Sequence, residues 1–167
     1  MLVIFSGLPA TGKTTLSRLL ARDLKAVYLR DDTMCPPIMA AYGDDIADVS
    51  YRVAYGVARD NLRLGHAVVA DCVNDVNVTR DAWREVALSV GVPVVEIEIV
   101  CSDPAEHRRR VETRVSDVTG LTLPSWEEIR NRRTEPWTRE HVVIDTANRA
   151  VEDCLAELRN RLPPDDP

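Results

Sequence analysis

The sequence predicts an α/β fold, a parallel sheet of five strands covered by helices on both faces, and three observations predict it. Short apolar runs alternate with longer segments whose apolar residues recur at helical spacing. Gly7, Asp31, Asp71 and Cys101 all stand where apolar runs end, at the carboxyl edge along which such sheets bind ligands. A glycine-rich stretch joins the first run to the first helical segment.

Residues 2–5 form a wholly apolar run that stops at Ser6 and Gly7, as a strand buried on both faces should. Leu16, Leu19, Leu20 and Leu24 then mark a helix, and residues 26–29 a second strand that Arg30, Asp31 and Asp32 terminate. In residues 46–64 the stripe Ile46, Val49, Val53, Val57 and Leu64 predicts a helix, ended by a turn at Gly65 and His66. Residues 67–70 make the third strand, with Asp71 at its end. A helix over about 78–90 leads through Gly91 to a fourth strand, 94–100. Asp103, Pro104 and Glu106 are an N-cap, an N1 proline and an N3 acid, and they open a helix carrying Arg108, Arg109, Arg110 and Arg114. Ser125 and Glu128 form a second capping box, so residues 115–124 are a loop. Residues 142–144 complete the sheet, and a closing helix covers about 149–161. One domain, 1–162, is expected, with a lid over about 108–137 and a flexible tail at 163–167.

Composition narrows the function. The chain of 167 residues is 45% apolar and 29% charged, with only 5% aromatics, which is enough for one aliphatic core and argues against disorder. Cys35, Cys72, Cys101 and Cys154 are scattered without a C-x-x-C pair, and residues 2–5 are too short for a leader, so reduced thiols in a cytoplasm are expected. No run is long enough for a membrane span. The net charge of −6 repels a polyanion, which makes long nucleic acid an unfavoured partner.

Gly7, Leu8, Pro9, Ala10, Thr11, Gly12, Lys13 and Thr14 fit G-x-x-x-x-G-K-[ST], between a buried strand and a helix as that motif requires. Its glycines let backbone amides approach phosphates, and the helix N-terminus adds positive potential. Lys13 reaches the β- and γ-phosphates, Thr14 ligates Mg²⁺, and Thr15 is placed for the α-phosphate. The expected cofactors are therefore ATP and Mg²⁺. Asp71, after four apolar residues, has the pattern of a Walker B acid on the metal. Asp31 or Asp32, with Asp31 preferred, is the candidate general base for an acceptor hydroxyl. Arg110 and Arg114, four apart, would share a helix face and clamp the transferring phosphoryl group, although Glu106 and Arg110 are also spaced for an ion pair. Asp32, Asn74 and Arg80, with Asp75 and Asn77, would line the acceptor. His66, His107 and His141 show no partner. Cys72 and Cys101 read as packing groups, as do Tyr51 and Tyr55. Trp126 and Trp137 would either cover a ligand or pack a hinge.

These residues together resemble the small P-loop kinases of the polynucleotide 5′-kinase, gluconate kinase and zeta-toxin group. The resemblance implies a P-loop NTPase three-layer sandwich with sheet order 2-3-1-4-5 and a helical lid. It also implies ATP contact by Arg110 and Arg114, deprotonation by Asp31, and adenine lying near residues 146–148. The polynucleotide kinases carry an arginine three residues after that acid, where this chain has Met34. The expected activity is transfer of the γ-phosphate of ATP to a hydroxyl of a small molecule. The alternatives are a polynucleotide 5′-hydroxyl kinase and a non-catalytic ATP-binding switch.

Overall fold

The computed structural model describes residues 1–43 and 48–163. Strands β1 (Leu2–Ser6), β2 (Val27–Arg30), β3 (Val68–Asp71), β4 (Val94–Val100) and β5 (Val142–Asp145) form one sheet in the order β2-β3-β1-β4-β5, and every neighbouring pair is parallel. The central strand β1 is buried along its whole length, and its alternation divides the core in two. Leu2 and Ile4 join the apolar layer under α3 (Val49–Arg63) and α4 (Asn77–Val90). Val3 and Phe5 face the layer under α1 (Lys13–Asp23) and α7 (Val151–Asn160). Among the described residues no helix is long and apolar enough to cross a membrane.

Register brings the functional ends together. Phe5 is the β1 partner of Asp71, and Arg30 is its partner on β2, so the ends of the three strands on this side of the sheet stand level. α1 begins beyond the end of β1, where the order of strand connections reverses, and that is the ligand crevice of an open parallel sheet.

Several elements depart from the sequence reading. Asp31 opens a helix, α2 (Asp31–Tyr42), with Arg30 as its N-cap. It buries no residue fully and carries Pro36 and Pro37 internally, which removes two amide donors and leaves no apolar stripe to read. In α3 the predicted face is the wrong one. Ser50, Ala54, Ala58 and Leu62 are buried, whereas Val53, Val57 and Leu64 are exposed. Small side chains let α3 sit close to the sheet and to α4, an advantage hydropathy does not register. Ile46 and the tail beyond residue 163 lie outside the described residues.

Both predicted N-terminal caps are present. The Asp103 carboxylate accepts from the amides of Ala105 (2.9 Å) and Glu106 (3.1 Å) to start α5 (Pro104–Thr113). Ser125 and Glu128 close a reciprocal box at α6 (Trp126–Arg130). The helix α5 stops one residue short of Arg114, which is extended at φ −69° and ψ 146°. Arg110 and Arg114 therefore do not share a helix face.

The expected lid also divides. Residues 131–141 are fastened to the body: Arg132 pairs with Asp75, the Glu135 amide donates to the Asp75 carbonyl (2.8 Å), and Glu135 accepts from the Asn77 amide (2.6 Å). Arg139 grips buried Glu96 with two bonds of 2.7 Å. Trp137 lies between the Arg80 guanidinium, 4.2 Å from its centroid, and the His141 ring at 3.9 Å. This stretch is a strap bound to α4, β4 and the loop after β3, whereas the part of the lid before it ties to α1, β2 and the phosphate loop.

Candidate active site

The loop from Gly7 to Gly12 is shaped by positions that tolerate little else. A Cβ on Gly7, at φ 137°, would lie 2.3 Å from the Ile99 carbonyl oxygen, so the loop passes too close to β4 for any side chain. Gly12, at φ 99°, is the N-cap of α1 and offers no side chain to the helix amides. Those amides remain available for an anion, which is the arrangement a phosphate needs.

Lys13 is buried and places Nζ 3.5 Å from Asp71 Oδ1. Asp71 Oδ2 accepts a 2.6 Å bond from the Tyr28 hydroxyl. Burial opposes the Asp71 charge, but the Lys13 ammonium and the Tyr28 hydroxyl overcome it and hold the pKa below the ordinary carboxylate value. The second carboxylate oxygen, Oδ1, is buried without a hydrogen-bond partner. That anionic oxygen faces the Lys13 ammonium, and Asp71 together with the Thr14 hydroxyl, which also lowers its pKa, suits a hard divalent cation that takes most of its other ligands from water and phosphate.

Asp31 differs from its neighbour. Burial, foremost, raises its pKa, with Asp32 and Asp71 adding to the rise and Ser50 and Lys13 opposing it, while Oδ1 is buried without a hydrogen-bond partner. Asp32 is instead bonded to Arg30 at 3.2 Å. Arg30 also donates to Asp117 at 2.8 Å, and Asp117 binds Arg18 of α1 as well. Those two guanidinium contacts, Arg18 first, push the Asp117 pKa down to about 2. This chain of charges ties the loop after α5 to α1 and β2.

Arg110 reaches the same cleft from α5. Its guanidinium donates to the Thr146 hydroxyl and carbonyl oxygens at 2.8 Å each, and to Glu106 at 2.7 Å. The anticipated Glu106–Arg110 pair is thus present, and it holds the arginine over the turn at 146–148. Arg114 arrives by its extended backbone, with a buried Nε that has no partner and a pKa lowered by burial. Both arginines, Asp31, Asp32 and residues 9, 10 and 12–15 of the loop line one cavity of about 990 Å³.

Asn74 and Arg80, expected at the acceptor, are engaged elsewhere. Asn74 is fully buried at φ 48° and donates its side-chain amide to the Phe5 carbonyl at 3.1 Å. Arg80 donates to the carbonyls of Asn74 (2.8 Å) and Glu135 (3.0 Å) and to Asn77 (3.1 Å). They hold the loop after β3 to the strap and do not line the large cleft. A separate cavity of about 280 Å³ lies behind the phosphate loop, against Leu8, Thr11 and Arg80. Cys72 is buried, with its thiol pKa pushed well up by burial, which makes it an inert packing group as expected.

Two histidines that showed no partner in the sequence have one. His107 is buried with Nε2 2.8 Å from the Pro9 carbonyl oxygen and its ring edge-on to Trp126. His141 stacks on Trp137 and lies 3.2 Å from Glu98. Asp117 and Tyr28 were also missed. All four meet partners far away in the chain, and no spacing rule reaches them.

The family profile described as AAA domain matches residues 2–136. The chain belongs to that family. No curated protein sequence matches it. Among solved structures, Kti12 of Chaetomium thermophilum, in complex with ADP-AlF3, is 19% identical, with a TM-score of 0.71 over 98% of this chain and 100% of that one. The APS kinase CysC of Mycobacterium tuberculosis, in complex with AMPPNP and APS, is 19% identical, with a TM-score of 0.69 over 95% of each chain. A gluconokinase from Sinorhizobium meliloti is 18% identical, with a TM-score of 0.64 over 93% and 87%. What this AAA-domain protein shares with them is the fold, that of the small P-loop kinases, with the 2-3-1-4-5 sheet.

Proposed function

We propose that this protein transfers the γ-phosphate of ATP to a hydroxyl group of a small molecule. The observation that carries this reading is a phosphate loop with unsatisfied helix amides facing the same cleft as Asp31, a carboxylate with an unpartnered oxygen and a raised pKa. In this reading the α1 amides and Lys13 hold the β- and γ-phosphates. Thr14 and Asp71 hold Mg²⁺, whose charge neutralises the phosphate oxygens. Asp31 accepts the proton of the acceptor hydroxyl as that oxygen bonds to γ-phosphorus and the bond to the β-phosphate oxygen breaks, which releases ADP. Asp32, already paired with Arg30, is the poorer base. Arg114, desolvated and unpartnered at Nε, and Arg110 supply positive charge along the transferring group.

A cleft of about 990 Å³ is at the upper end of ligand-site sizes, which suits a nucleotide together with a small acceptor. Two observations support a small molecule over a polynucleotide: the net charge of −6, and Met34, packed against the core where a phosphate-gripping arginine would stand. That APS kinase and gluconokinase share the fold supports kinase chemistry without naming this acceptor.

The test is ADP release by purified protein with ATP and Mg²⁺, followed with and without pooled hydroxyl metabolites or a 5′-hydroxyl oligonucleotide. Release is expected only with the metabolites, and Lys13→Ala should abolish it, because the phosphates lose their nearest fixed cation. Labelling of the oligonucleotide at low salt would replace this reading with the polynucleotide one. Tight ATP binding with no acceptor-dependent release would favour the switch.

A further inference from the structure

The phosphate loop is held from behind by its carbonyl oxygens. The Leu8 carbonyl accepts from the Thr11 hydroxyl at 3.0 Å. The Thr11 carbonyl accepts from the Thr146 hydroxyl at 2.7 Å and from Arg110 at 3.4 Å. The carbonyl of Pro9 faces His107 at 2.8 Å, and since a carbonyl can only accept, Nε2 carries the proton and donates. A trans peptide is planar, with C=O and N–H pointing in opposite directions. Fixing the Pro9 carbonyl therefore fixes the Ala10 N–H. His107 lies on the side of the smaller cavity behind the loop, whereas Pro9 and Ala10 line the large cleft, so the Ala10 N–H is aimed into that cleft. Ala10 sits at φ 65°, a conformation that costs a non-glycine residue on the order of 1 kcal/mol and persists only where neighbours enforce it.

We propose that His107 is a positioning residue for nucleotide binding: from behind the phosphate loop it holds the Pro9–Ala10 peptide so that the Ala10 amide faces the nucleotide phosphates. The Thr146 hydroxyl does the same for the next-but-one peptide, whose N–H belongs to Gly12. Because His107 stands on α5 and its ring packs edge-on against Trp126 of α6, with ring centroids 5.2 Å apart, the same side chain joins both lid helices to the loop. The proposal rests on the nucleotide reading above.

Calorimetric titration of the full-length protein with ATP and Mg²⁺, well below each variant's melting temperature, tests it. His107→Phe keeps a ring against Trp126 and removes the donor. Its dissociation constant for ATP should rise about three- to ten-fold, the worth of one hydrogen bond. His107→Gln can place an amide N–H where Nε2 stood and should recover most of the affinity, whereas His107→Asn, equally polar but too short, should not. The Gln and Asn pair decides the question if the Phe variant does not fold. Affinities within two-fold of wild type for His107→Phe, or equal affinities for the Gln and Asn variants, overturn the proposal. Wild-type protein that binds no ATP removes the nucleotide reading and this one with it, whereas wild-type binding with unaltered variants removes only this one.

Discussion

Asp31 sits where burial, ahead of the charges of Asp32 and Asp71, makes ionisation harder than in water. A carboxyl whose folded pKa lies above its unfolded value keeps its proton more readily in the native state. Ionised Asp31 therefore costs stability at neutral pH, and the cost vanishes below both pKa values. Asp31→Asn should consequently melt higher than wild type at pH 7, by about 2–4 °C for each ~1 kcal/mol relieved, while losing ~100-fold or more in turnover. Turnover of the wild type should fall on acidification through a pKa above that of an ordinary aspartate. Asp71 has the opposite sign: its lowered pKa contributes stability above the unfolded value, and that stability is lost only as pH falls through the folded one. Calorimetric melting curves and a pH–rate profile separate the two residues. Residues 7–15, Asp31 and Asp71 were legible in the sequence because a strand, a glycine loop and a strand end are local patterns. His107, 98 residues from Pro9, and Asp117, 87 from Arg30, were not, since only folding brings them together. Asn74 and Arg80 misled because polarity after a strand looks the same whether a side chain faces a ligand or its own backbone.

At the level of elements, the two caps identified the starts of α5 and α6 because capping chemistry is written within four residues. The buried face of α3 was misread because alanine and serine, not valine, pack where helix and sheet approach closely. The end of α5 decides what Arg114 can do, and nothing in the spacing from Arg110 revealed that end. The strap over residues 131–141 depends on Glu96, buried on β4 and held by Arg139 with two bonds and by Arg84 at 3.3 Å. Arg139→Ala should destabilise the fold by about 2–4 kcal/mol, because a buried carboxylate loses its main partner. Arg108→Ala, which breaks an exposed pair with Glu112, should cost less than about 0.5 kcal/mol. Urea unfolding of the two variants measures the contrast, and equal losses would mean that the strap is not anchored there. Hydrogen exchange should show ATP slowing residues 114–130, which line or cover the cleft, while 133–141 stay unchanged.

Across the whole molecule, β1 and β3, buried along their whole lengths, lie inside the sheet, and β2 and β5 take its edges. That arrangement sets the ends of β1, β2 and β3 level and so brings the phosphate loop and Asp31 to one cleft, with Asp71 buried against Lys13 of that loop, from three separate parts of the chain. The acceptor stays illegible in the sequence because the far wall of the cleft is loop, residues 115–117 and 121–124, whose shape follows from long-range ties such as Asp117 to Arg18 and Arg30. The most direct measurement is mass spectrometry of a metabolite extract incubated with the protein, Mg²⁺ and ATP carrying heavy oxygen in its γ-phosphate. A small hydroxyl compound should gain one heavy phosphate with the wild type and none with Asp31→Asn, although both bind ATP. No labelled metabolite from wild-type protein that binds ATP, or equal labelling by the two proteins, would contradict phosphate transfer through Asp31.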